Sequence, residues 1–110
     1  MYFSALILEK ATVGEEAADL FCENIVILEA ESIEDARIAA QEYGKTQAHS
    51  YLNEAGQEVN WSMERVVDVQ EILDQPIKHG SEVYSRFFRN FDDYVRFEPL
   101  MRPKGARGDD

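Results

Sequence analysis

The sequence predicts an α+β fold: an antiparallel sheet of four to five strands with one main helix on one face. Three observations predict it. Ile25–Tyr43 reads as an apolar strand, a short polar step, a capped helix start and a helix. Ahead of it, Tyr2–Glu9 is a second apolar strand. After it, Glu58–Leu73 is the longest stretch of alternating apolar and polar residues in the chain. The expected order is strand, strand, helix, strand, strand, then a last strand or an aromatic arm.

The first strand places Phe3, Ala5 and Ile7 on one face and Tyr2, Leu6 and Leu8 on the other. A strand apolar on both faces needs cover on both. Thr12–Leu20 contains Gly14, Glu15 and Glu16 and reads as a loop, giving the first hairpin a long acidic connection. Phe21–Ala30 is the second strand, with Phe21, Ile25 and Ile27 against Cys22, Val26 and Leu28. The second apolar face of this hairpin is assigned to Leu6, Leu8, Val26 and Leu28.

Ser32 is the expected N-cap of the helix, with Asp35 three residues on and Glu34 beside it at the positive end of the dipole. Gly44 reads as a C′ glycine, so the helix is expected over Ile33–Tyr43. Ile33, Ala36, Ala39, Ala40 and Tyr43 share its broad inner face, and Ile38 points away. Such a helix is ~16 Å long, whereas five strands span ~20 Å. It cannot cover both faces of the hairpin, so the aromatic arm or a second subunit must cover the other.

Ala48–Leu52 is a short strand, and Asn53–Gly56 has the composition of a turn. In Glu58–Leu73, Val59, Trp61, Met63, Val67 and Val69 form the apolar phase, with Trp61 in the core. Arg65 and Val66 break the period, which predicts a bulge, a strong twist or the sheet edge. Asp74–Gly80 is a breaker, and Glu82–Phe88 is the last strand or arm. Phe91, Tyr94 and Val95 have the spacing of a short helix, or belong to a docked arm. From Glu98 onward, two prolines, two glycines and mixed charges read as a tail. The expected organisation is one domain over residues 1–97 and a flexible tail over 98–110.

The net charge of −11, from 11 Lys and Arg against 22 Asp and Glu, argues against non-specific nucleic-acid binding and against anionic membrane surfaces. A lone cysteine, Cys22, allows no internal disulfide. The start has no basic region, its apolar run ends at Glu9 and Lys10, and no stretch approaches ~18 apolar residues. The expected location is cytoplasmic.

Chemistry is sparse. Cys22 and His49 lie on different strands and are better read as structural than as a nucleophile and base. His49 and His79 stand without neighbours at metal-ligand spacing. No glycine-rich phosphate motif occurs, and no metal or cofactor is expected. The dense feature is aromatic: Tyr84, Phe87, Phe88, Phe91, Tyr94 and Phe97 put six rings into fourteen residues, among Arg86, Arg89 and Arg96. Glu82, Asp92, Asp93 and Glu98 offset those cations, which favours a protein contact, within or between chains, over base stacking. Arg107-Gly108-Asp109 matches an adhesion tripeptide and is read as chance.

Glu29–Arg37, His49-Ser50-Tyr51, Asn53, Gly56, Val59, Trp61, Val67-Asp68-Val69, Ile72-Leu73 and Glu82–Phe88 together resemble a small bacterial family catalogued as domain of unknown function 4288. The resemblance runs from Tyr2 to Phe88 and implies no activity. It marks His49, Tyr51, Trp61, Tyr84, Ser85 and Arg86 as a shared core or a shared site. The expected role is a non-enzymatic protein-interaction module acting as a homodimer, with a further protein partner in prospect. His49, Tyr51, Tyr84, Arg86, Phe88 and Phe91 are its candidate interface or ligand residues. The alternative is a small-ligand or enzymatic site around His49, Tyr51, Trp61, Tyr84 and Arg86.

Overall fold

A computed structural model describes residues 1–101. The chain folds as an antiparallel sheet with a helix against it. The strands are β1 (Tyr2–Val13), β2 (Glu16–Glu29), β3 (His49–Leu52) and β4 (Glu58–Glu71), with α1 (Ile33–Thr46) between β2 and β3. Their order across the sheet is β2-β1-β4-β3. A short helix α2 (Phe91–Phe97) and a 3-10 turn (Pro99–Met101) follow. Among the described residues the sheet has four strands; residues 82–88 have no regular secondary structure and pair with none of them.

β1 is central and supplies most of the core: Phe3, Ala5, Leu6, Ile7 and Ala11 are buried. Ala5 and Ile7 pack with Ala40 of α1, and Val26, Leu28, Met63, Val66 and Val69 close around them.

The first connection is a tight turn, not a long loop. Thr12 pairs with Ala17 and Val13 with Glu16. Gly14 adopts φ 61°, a conformation glycine takes without strain. Its N–H donates to the Glu58 carbonyl at 2.8 Å, tying the turn to the start of β4. Acidic residues suit the exposed edge of a sheet as well as a loop, so composition misplaces this boundary.

Register also corrects the faces of the hairpin. Phe3 lies opposite Leu28, Ala5 opposite Val26 and Leu6 opposite Ile25. Val26 and Leu28 therefore sit on the α1 side, while Ile25 and Ile27 join Leu6 on the other. Alternation sorts residues within one strand; only pairing says which set meets which.

α1 begins as expected: the Ser32 Oγ accepts the Asp35 N–H at 3.1 Å. It does not stop at Gly44. It runs to Thr46, and the Gln47 N–H donates to the Gly44 carbonyl at 3.2 Å. Gly44 is buried, and a Cβ there would run into the Met63 Sδ. The glycine serves close approach of α1 to β4 rather than a cap.

β4 has two irregularities. Asp68 pairs with Leu6 and Val66 with Ile7, passing over Val67; Arg65 pairs with Leu8 and Met63 with Glu9, passing over Glu64. They bracket the predicted break. Val67 thereby leaves the apolar phase and is exposed. Glu64 takes Lys10 and Arg65, each at 3.1 Å, which holds its carboxyl below the usual range.

Candidate functional site: the docked arm and the aromatic hollow

On the side of the sheet opposite α1, polar residues lie among the apolar ones. Ser4, in the middle of β1, is wholly buried. Its cross-strand neighbour is Gln70, and Leu6 faces Asp68. Buried polar groups require partners, and residues 83–85 supply them. The Ser4 hydroxyl donates to the Val83 carbonyl. The Gln70 side-chain amide donates to the Ser85 carbonyl at 2.6 Å and accepts the Ser85 N–H at 3.2 Å. Gln70 thus engages the arm's backbone as a neighbouring strand would. The Tyr84 hydroxyl donates to Asp68 Oδ2 at 2.9 Å.

These contacts set the site's electrostatics. The hydrogen bond from Gln70, helped by that from Tyr84, holds the Asp68 carboxyl below its ordinary value, although burial pulls the other way. Burial and the hydrogen bond to Asp68 push the Tyr84 phenol up to about 12. The pair is a neutral phenol on a carboxylate, a clasp rather than an acid–base couple.

Past Ser85 the chain leaves the sheet. Arg86 reaches Glu23 of β2 at 3.9 Å. Phe87 is 98% exposed. Asn90 caps α2 by accepting the Asp93 N–H at 3.0 Å, and Phe88 stacks on Tyr94 with centroids 4.6 Å apart and planes 8° off parallel. Between α2 and β2 lies an open hollow of about 990 Å³ lined by Glu23, Tyr84, Arg86, Phe88, Tyr94 and Phe97, among others. Phe91 is exposed on α2 and is not among its lining residues.

The sequence-predicted residues do not converge. His49 and Tyr51 stack at 6.1 Å on β3, and the Trp61 Nε1–H donates to the Tyr51 hydroxyl at 3.4 Å. Trp61 is half-buried opposite Ala11, so it is less enclosed than a core residue. Tyr84 and Arg86 belong to the arm. Trp61 pairs with Ala11 and Asp68 with Leu6, residues of opposite parity on β1, so the two groups occupy opposite faces. Cys22 Sγ points at the Glu23 carbonyl and Asn24 Oδ1, and His49 Nδ1 at the Gln47 carbonyl; they form no nucleophile–base pair. A smaller cleft of about 380 Å³ lies at the end of α1, beside His49, Tyr43, Gln47, Glu9 and Asn24. Among the described residues no three His, Cys, Asp or Glu side chains group to hold a metal.

Sequence reasoning missed Ser4, Asp68 and Gln70. The signal was there: a serine inside an apolar strand and a glutamine on the polar phase of another, both needing partners.

A family model for a domain of unknown function (DUF4288) matches residues 1–85. The chain belongs to this family. No curated protein matches it, and no solved structure does. The DUF4288 match ends at Ser85, the last arm residue whose backbone the sheet holds. The exposed aromatic segment lies beyond the match. Among the described residues no helix is long and apolar enough to cross a membrane. Residues 102–110, with Arg107-Gly108-Asp109 and most of the expected tail, lie outside the described residues.

Proposed function

We propose that this DUF4288 protein is a non-enzymatic protein-interaction module that acts as a homo-oligomer, in its simplest form a two-fold dimer, in the cytoplasm of a bacterium. One observation carries the reading. Residues 1–85 bury their own core and satisfy the arm, whereas the aromatic rings that follow lie open, up to 98% exposed at Phe87. Exposed apolar surface on this scale marks contact surfaces. The partner of such a surface is a protein; the charge of −11 disfavours nucleic acid and anionic membrane. A joint ligand site of His49, Tyr51, Trp61, Tyr84 and Arg86 is the weaker reading, since its members sit on two faces.

Sedimentation velocity tests it, from micromolar to several hundred micromolar protein, at low and high salt. Two subunits of like charge repel across water, so a dimer with an apolar centre tightens as salt screens them. A strict monomer in both salts overturns the homo-oligomer.

A further inference from the structure

On the side of the sheet opposite α1, β2 presents Phe21, Ile25 and Ile27, in register with Lys10, Leu6 and Ser4 of β1. All three are about half-exposed; residues 83–85 bond to Ser4 of β1 and to Asp68 and Gln70 of β4. β2 is also an edge of the sheet, with no strand on its outer side among the described residues. Glu23 lies between Phe21 and Ile25 on the strip, binds Arg86 and lines the aromatic hollow. Glu23 therefore joins the strip to the hollow that the aromatic segment lines.

We infer that this surface, Phe21, Ile25 and Ile27 of β2 with Phe87, Phe88 and Phe97, is an isologous docking face for a second copy of the chain. The inference rests on the homo-oligomer reading and names its interface.

Three observations select the second copy. The first is area. The six side chains are 47% to 98% exposed; at ~200 Å² each they leave on the order of 700 Å² of open apolar surface. A stable complex buries ~800 Å² per partner. The second is charge. Residues 1–85 hold five Lys and Arg against seventeen Asp and Glu, a net of −12, whereas residues 86–101 hold three against three, a net of zero. Two copies repel least where the C-terminal segments meet. Arg86 and Arg89 lie on the C-terminal segment, and Glu23 and Glu29 on β2. A patch carrying both signs beside apolar residues is self-complementary, as a two-fold contact requires. The third is residues 102–110, which offer only Pro103 and Ala106 as apolar side chains, too little to cover the face.

The test uses the full chain and sedimentation equilibrium. Ile25→Lys breaks the strip, Phe87→Ser breaks the segment, and Ile38→Lys, on the outer side of α1 and 58% exposed, is the control. Each of the first two should weaken dimerisation roughly tenfold or more, with the control unchanged and circular dichroism the same throughout. If Ile25→Lys fails to fold, Phe87→Ser decides alone, since a ring 98% exposed supports no fold. A wild-type dimer that Phe87→Ser and a folded Ile25→Lys leave intact overturns this face and spares the homo-oligomer. A strictly monomeric wild type overturns both.

Discussion

Phe3 and Phe87 are the same residue used in opposite ways. Phe3, in the central strand, is wholly buried; Phe87, two residues past the docked arm, is 98% exposed. The contrast holds for the regions around them. Up to Ser85 each apolar strand residue has been sorted by pairing, and even the buried polar residues are matched. After Ser85 the rings stack locally, as Phe88 does on Tyr94, yet α2 buries no residue at all. The first region encloses a core while leaving Phe21, Ile25 and Ile27 half-exposed; the second, over residues 86–101, buries no residue. The family match stops at the boundary between them.

The sharpest way to break this contrast is to truncate both phenylalanines. Phe3→Ala should cost ~3–5 kcal/mol through the lost burial and the cavity left behind, read by urea unfolding. The next effect is at Gly44. Gly44→Ala pushes a methyl into Met63, and overpacking costs ~1–3 kcal/mol, against up to ~1 kcal/mol gained by removing a helical glycine. A net loss of stability is expected; a more stable variant would show that Met63 yields freely and that the approach of α1 to β4 is loose.

Gln70→Ala tests whether the arm belongs to the closed region. It removes both contacts to Ser85 and the main support of the Asp68 charge. It should cost ~1–2 kcal/mol, and hydrogen exchange should rise first at residues 83–85. The Tyr84–Asp68 clasp adds two pH limits. The Tyr84 pKa is raised in the folded state, so its contribution is complete below the ordinary phenol value of 10 and fades as pH climbs toward about 12. The Asp68 pKa is lowered, so its contribution is present above the ordinary carboxyl value and is lost as pH falls through the folded one. Tyrosinate absorbance should show one of the five tyrosines titrating late, and Tyr84→Phe should abolish that step. Ser32→Ala, which removes the cap of α1, should cost ~1 kcal/mol.

The smallest effect belongs to Phe87→Ala. Its stability, measured on the monomer at dilution, should stay within ~0.5 kcal/mol of the parent. A loss near that of Phe3→Ala would mean that the segment after Ser85 belongs to the core and that the two regions are one.

Much of this fold follows from local chemistry. The Ser32 cap with Asp35, the alanines of α1, the alternation in β4 and the short helix starting at Phe91 each depend on residues within one turn or one strand, and sequence states such dependence directly. So does the α+β class, with one helix between two pairs of strands. Pairing, by contrast, joins residues far apart, and only the tertiary structure decided it. The register of β1 against β2 sent Val26 and Leu28 beneath α1 and left Ile25 and Ile27 outside. The bulges in β4 turned Val67 outward. Met63 gave Gly44 its purpose. Buried Ser4 and its neighbour Gln70 became the clamp of the arm only because Val83 and Ser85 lie across them. A side chain's type limits which environments it tolerates, but the environment is supplied by partners that the local chain does not contain.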